Sequence, residues 1–284
     1  MRILAAKTWF PECTQGDPSL AYGAARPMAE AGSYALKYLV PCVDSILQQQ
    51  QITAGDIDLI VSLSMSADHL VEELEIMGPR VGHPLQKSIG ADNAFVFDLM
   101  DSSLSKAFYV INALAIAEEY KNILIIRSEI GLSSKTDLNS GFCLPDGVMA
   151  ILAEVNSLQV FKNQNLPGNW WPLSLELETN IRSTEQEKVK FNYPVQQGLT
   201  EAINQQSDKL LSNPNFAMLP FAIESWLEPS SGETSCYGPF ELVRQIEKRL
   251  NESNETTFVA ISFDPFGPSV EAVTLELGRG NIDE

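Results

Sequence analysis

The chain has 284 residues, 44% hydrophobic and 20% charged, the balance of a globular protein too long for one small core. Lys and Arg number 19 against 37 Asp and Glu. The net charge of −18 argues against a phosphate-backbone binder, which clusters cations, and favours solubility. Cys13, Cys42, Cys143 and Cys236 form no Cys-x-x-Cys pair and only His69 and His83 accompany them, so no metal site and no cofactor is expected. The apolar run in MRILAAKTWF is too short for a signal peptide or a spanning helix, and no stretch of eighteen apolar residues appears elsewhere. The expected setting is cytoplasmic, with reduced thiols and no membrane partner.

In chain order, Met1 to Ala6 reads as a short strand. Gly32 to Gln50 reads as a helix, with Tyr34, Leu36, Tyr38, Leu39, Val43, Ile46 and Leu47 forming its apolar stripe and Ala54-Gly55-Asp56 breaking the pattern. Ile57 to Ser64 is a continuous apolar run, the signature of a strand buried on both faces. Ala94 to Leu99 is the next strand, followed by a sharp turn at Met100 to Ser105 and an apolar helix from Lys106 to Tyr120. Asn122 to Arg127 and Gly147 to Glu154 are two more buried strands. Asn156 to Trp171, polar with a Pro-Gly break, reads as a connector.

The remainder repeats the plan in reduced form. Helices are expected at Gly198 to Leu211 and Pro239 to Asn251, a loop at Ser212 to Ser235, and paired final strands at Thr257 to Phe263 and Val270 to Leu277. Strands alternating with helices predict an α/β class with a mostly parallel sheet, and the repetition divides the chain into halves at 1–155 and 156–284.

The strand-to-helix turn carries the chemistry. A helix N-terminus offers free N–H groups and the positive end of a dipole, which activates a cysteine placed there as thiolate. This chain has Ser103 at that point and no evident base for it. A serine there caps the helix by accepting an N–H of the first turn, or serves as a nucleophile if a base is supplied.

Several strings resemble the ketoacyl synthase III-like proteins of the thiolase superfamily. Asp56-Ile57-Asp58-Leu59-Ile60-Val61 resembles their second strand, and Ala94 to Leu99 with Ser103 resembles the strand entering their nucleophile elbow. Pro145-Asp146-Gly147-Val148-Met149-Ala150 resembles their GDGAGA turn, and Phe263-Asp264-Pro265-Phe266-Gly267-Pro268 their C-terminal glycine-rich turn. The resemblance implies a thiolase-like fold: two similar βαβ-type halves stacked in a five-layer αβαβα arrangement, the second half shortened.

Longer strings are similar to the B subunits of heterodimeric alkylquinolone synthases. They are Met77-Gly78-Pro79-Arg80-Val81-Gly82-His83-Pro84-Leu85-Gln86-Lys87, Val96 to Leu104, Gly238-Pro239-Phe240-Glu241-Leu242 and Ile261 to Gly267. That resemblance implies a catalytic C-type partner subunit with an active cysteine. The partner would handle acyl-coenzyme A and 2-aminobenzoylacetate, joining an octanoyl-type acyl group to the latter to give a 2-alkyl-4-quinolone.

Measured against an active member, the site is altered throughout. The cysteine is replaced by Ser103, the second-half histidine has no counterpart after His83, and the asparagine of a GNTS string is Glu233, whose ionised carboxylate donates no hydrogen bond. Pro145, Met149, Asp264, Pro265 and Phe266 fill turns where glycines let a ligand approach the backbone. These changes predict a chain without catalytic residues of its own, Ser103 and Glu233 marking vestigial positions.

By the same resemblance, dimers pair the strands that enter the elbow, here Phe95, Phe97 and Leu99. A loop from Glu72 to Leu85 reaches over the partner's site, with Met77, Gly78, Pro79, Arg80 and His83 as candidate wall and interface residues. Packing of that loop on its own subunit is the other reading, and both histidines also suit plain structural roles. Two further functions stay open: a serine-dependent acyltransferase using Ser103, and a homodimeric binding protein for a small acidic or aromatic ligand.

Overall fold

The structure is a computed structural model that describes residues 1–12, 27–30, 33–64, 81–99, 103–130, 145–157, 159–172, 174–178, 188–192, 196–224, 237–252 and 256–278. The elements are β1 (Arg2–Trp9), α1 (Ala35–Gln50), β2 (Leu59–Ser62), α2 (Gly82–Ile89), β3 (Phe95–Asp98), α3 (Leu104–Ala117), β4 (Asn122–Glu129) and β5 (Gly147–Glu154). They continue with β6 (Phe161–Asn165), β7 (Ser174–Glu178), β8 (Lys188–Asn192), α4 (Leu199–Leu211), β9 (Phe221–Glu224), α5 (Glu241–Glu252), β10 (Thr257–Asp264) and β11 (Ser269–Leu277).

The strands run in the order β3-β2-β4-β5-β1-β11-β10-β9, with β6 also on β11; β7 and β8 form a separate hairpin. β2 is parallel to β3 and β4, β4 antiparallel to β5, and β5 antiparallel to β1. The path β9-β10-β11-β6 repeats β2-β4-β5-β1 with the same senses. Only Arg2↔Glu276 and Ile3↔Leu277 join the two sets across β1 and β11. Among the described residues β3 has no counterpart beyond β9.

Period-two alternation sorts the strand residues into layers. Leu124, Ile126, Val148, Ala150 and Leu152 face outward onto α1 and α2. Their neighbours Ile123, Ile125, Met149, Ile151 and Ala153 face inward onto α3 and α5, where Phe258, Ala260, Val273 and Leu275 meet them from the second set of strands. Val259, Ile261, Phe263, Val270 and Ala272 face the far side onto α4. The resulting stack is helix, sheet, helix, sheet, helix: the thiolase-like α/β fold.

Several elements differ from the sequence expectation. β1 runs on to Trp9 because β5 pairs with it as far as Trp9↔Val148. α3 starts at Leu104, capped by Ser103, and ends at Ala117, since Glu119 adopts φ 59°. The expected connector contains β6, whose polar residues are exposed and carry no alternation, and the expected loop 212–235 contains the four-residue β9. The segment read as a reaching loop ends in α2, which starts close enough to β3 that a Cβ on Gly82 would lie 2.8 Å from Val96 Cγ1.

Candidate functional site

The strands around the start of α3 are apolar until their C-terminal ends and polar there: Ser62 on β2, Arg127, Ser128 and Glu129 on β4, Glu224 on β9, Ser262 and Asp264 on β10. Parity with Ile125, Ala222 and Ala260 aims Arg127, Glu129, Glu224, Ser262 and Asp264 at the central layer. Glu271 on β11 shares the face of Val273 and Leu275. In open α/β sheets this carboxyl-end crevice is where ligands bind.

Ser103 lies fully buried at the N-cap of α3, with φ −87° and ψ 112°. Its Oγ accepts the Lys106 N–H at 3.2 Å, and its carbonyl oxygen accepts the Ala107 N–H at 3.0 Å. The Leu104 N–H donates to Glu224 Oε2 at 3.0 Å and the Ser105 N–H to Ser262 Oγ at 3.0 Å. Each amide of the first turn is thus taken up by the cap or by a side chain of β9 or β10. These are the groups that would otherwise face an anion.

The Ser103 hydroxyl donates in turn to Glu271 Oε2, whose other oxygen receives Asn163 Nδ2 at 3.3 Å and Ser269 Oγ at 3.4 Å. The sequence offered no base for Ser103; the fold sets a carboxylate of β11 on it. Ser105 Oγ donates to the Ala260 carbonyl at 3.0 Å and lies 2.9 Å from Ser262 Oγ.

Charge in this region is dense and buried. Arg127, fully enclosed, reaches Glu224 Oε1 at 3.3 Å, Glu129 Oε1 at 3.9 Å and the Pro239 carbonyl at 3.3 Å. Burial pushes the Glu224 carboxyl up to about 7. Arg127, the Ser262 hydroxyl and the Leu104 N–H oppose the shift without cancelling it. Lys106 Nζ sits 3.7 Å from Asp264 Oδ2. A developing enolate or thiolate at the start of α3 would meet carboxylates at close range, the reverse of what an oxyanion site supplies.

The residues singled out from the sequence divide as follows. Met77, Gly78, Pro79, Arg80 and Glu233 lie outside the described residues, as does His69. His83 is exposed at the start of α2, with Nδ1 3.4 Å from Gln86 Oε1. Phe95, Phe97 and Leu99 share one face at the edge of the sheet: Phe97 and Leu99 pack onto the central core, and Phe95, 52% exposed, stacks on Tyr120. Pro145 is buried before β5, Asp146 tying that turn to Pro27 and Ala29, and Met149 is part of the central core.

Asp264 accepts the Phe266 N–H at 2.9 Å, Pro265 is buried, and Phe266 packs onto the α4-side cluster. The sequence reading missed Glu224, Glu271, Arg127 and Ser262. Their signal was a charged or hydroxyl residue set inside a run of strand-forming apolar ones, as in Ala222-Ile223-Glu224 and Val270-Glu271-Ala272. Among the described residues no cluster of His, Cys, Asp and Glu is arranged to hold a metal, and no helix is long and apolar enough to cross a membrane.

No family model matches the chain. It is 40% identical over 259 residues to the 2-heptyl-4(1H)-quinolone synthase subunit PqsB of Pseudomonas aeruginosa, covering 90% of each chain. It is also 32% identical over 119 residues to β-ketoacyl-[acyl-carrier-protein] synthase III of Lactobacillus helveticus, 39% of this chain and 34% of that one. Among solved structures, the tetronic acid condensing enzyme AbyA1 superposes with TM-score 0.71 at 14% identity, covering 97% of this chain and 100% of that one. 3-Oxoacyl-(acyl carrier protein) synthase III of Pseudomonas aeruginosa superposes with TM-score 0.69 at 12% identity, covering 98% of both chains. The solved structures carry the fold and the 40% relative carries the closer kinship: the chain belongs to the PqsB family of quinolone synthase subunits, on a ketoacyl synthase III-like, thiolase-type fold.

Proposed function

We propose that this chain is the non-catalytic subunit of a heterodimeric condensing enzyme that makes 2-alkyl-4-quinolones from an octanoyl-type acyl group and 2-aminobenzoylacetate. A C-type subunit with an active cysteine holds the acyl group and performs the condensation; this chain stabilises and shapes that site. The observation that carries the reading is the occupied first turn of α3. Leu104, Ser105 and Lys106 spend their amides on Glu224, Ser262 and Ser103 itself. An acyl-transfer elbow keeps such donors for the oxyanion.

Support for a partner comes from the edge of the sheet. β3 ends the strand order, and its Phe95 is 52% exposed and stacks on Tyr120, just past the end of α3. On α3 itself Val110 and Ile116 are exposed, while Tyr109 stacks on Phe161 of β6. An edge strand and exposed apolar side chains suit an obligate interface. On this reading Met77, Gly78, Pro79, Arg80 and His83 approach the partner's pocket, and Pro145, Met149, Asp264 and Pro265 fill space that a substrate uses in an active member. Phe266, packed toward α4, serves its own half instead. The two halves meet at the 155/156 boundary, and the protein works in the cytoplasm.

One observation favours a second reading. The Ser103 hydroxyl donates to a carboxylate, Glu271, which is the minimum a serine-dependent acyltransferase asks for. Ser103→Ala in the co-purified pair separates the two: retained quinolone formation supports the scaffold, and its loss supports the serine enzyme.

A further inference from the structure

A serine suffices to cap a helix, so the cap does not account for two enclosed carboxylates at the same point. Glu224, 0% exposed, holds the Leu104 N–H, and Glu271, 1% exposed, holds the Ser103 hydroxyl. They come from different strands, β9 and β11, and converge on one helix end. The N-terminus of a helix carries roughly half a positive charge, which stabilises an anion placed on it and depresses the pKa of a thiol there. A carboxylate already seated on that end neutralises the field, and a second one beside position 103 opposes any new negative charge.

We propose that Glu224 and Glu271 form an electrostatic lock on the elbow. They supply from within the chain the negative charge that the helix end would otherwise stabilise on a nucleophile or an oxyanion. The position is therefore silent in its field as well as in lacking cysteine. This rests on the non-catalytic reading and names the residues that enforce it. Among the described residues, the other charged groups facing the elbow are Arg127 and Glu129 from β4, Asp264 from β10 and Lys106 from α3 itself. Arg127 is held by Glu224 and Glu129, and Lys106 approaches Asp264, so both cations have carboxylates close by.

The lock makes a specific demand. Restoring the cysteine alone yields an inert thiol, and removing the two carboxylate charges wakes it. In the full-length chain, the thiol of Ser103→Cys should titrate above the ordinary thiol value of about 8.5. Its thiolate absorbance is read as the difference from the parent chain, which cancels the other cysteines. In Ser103→Cys with Glu224→Gln and Glu271→Gln, the thiol's acid-dissociation constant should rise about tenfold, a fall of about one pKa unit. Glu252→Gln in the same background, an exposed acid on α5, should change nothing.

Should circular dichroism show the triple variant unfolded, Ser103→Cys with Glu271→Gln alone is compared with Ser103→Cys and must move in the same direction. Identical titration with and without the glutamates overturns the lock, as does a depressed pKa in Ser103→Cys alone. Either result leaves the non-catalytic reading standing, because that reading is tested by acylation of the unaltered chain and by turnover of Ser103→Ala in the pair, neither of which depends on this titration.

Discussion

Ser103 joins a turn, a helix and a strand from the far end of the sequence, and its removal is felt at each. Ser103→Ala deletes a cap, worth ~1 kcal/mol, and leaves Glu271 short of a donor, a buried loss of about 1–3 kcal/mol. Urea denaturation should show a destabilisation in that range while the paired enzyme keeps its turnover. Arg127→Met is harsher. It leaves Glu224 and Glu129 enclosed without their cation, and breaking a buried pair in this way costs about 3–5 kcal/mol. The expected outcome is a large fall in the melting temperature, or loss of the folded chain.

Glu224 also sets a pH dependence. Its folded pKa, about 7, lies above the ordinary 4.5, so between those values the folded state binds more protons than the unfolded one. Its contribution to stability is therefore fully present below about pH 4.5 and is lost as pH rises toward and through 7. In Glu224→Gln the fall in melting temperature between pH 5 and 7 should be shallower than in the parent, and an unchanged slope would mean that Glu224 does not titrate in that window. At this scale the sequence was half legible. Ser103 as a cap follows from its place before an apolar helix. Glu271 as its acceptor does not, because 168 positions separate the two and only the closed fold brings them together.

Among the elements, β3 and α3 carry the prediction about assembly. Phe95, Val110 and Ile116 are exposed, so aspartate at any of them leaves the folded core intact. The same change places a charge in an apolar interface. Phe95→Asp or Ile116→Asp should dissociate the pair in native mass spectrometry while the melting temperature of the isolated chain stays within about 1 kcal/mol of equivalent stability. Variants that stay paired as tightly as the parent would move the interface elsewhere on the surface. Elements with strong patterns, α1, β2, β4 and β5, were readable because burial on both faces or on one helical stripe leaves a continuous apolar signal. β6 and β9 were not. β6 is polar and exposed over most of its length, and β9 is four residues long and ends on a buried acid whose partners lie in other elements.

Across the whole molecule, the contacts at the elbow are also contacts between the two repeated strand sets. Ser103, Leu104 and Ser105 bond Glu271, Glu224 and Ser262, while β1 and β11 share only a two-residue ladder. On the proposed reading, the residues that silence the site also fasten the sets together, a physical reason for the fold to persist where reactivity lies with a partner. The five-layer arrangement was legible in the alternation of strands and helices and in the family resemblance. The filling of the crevice by internal acids was not, since it depends on the register of β9, β10 and β11 against α3.

The central claim is that this chain keeps the shape of a condensing enzyme while the acyl group rides on its companion. Its most direct test is intact-mass analysis of the co-purified pair after exposure to octanoyl-coenzyme A. The acyl mass should appear on the companion alone, and this chain should keep its unmodified mass; an octanoyl adduct on this chain, mapped to Ser103, would contradict the account.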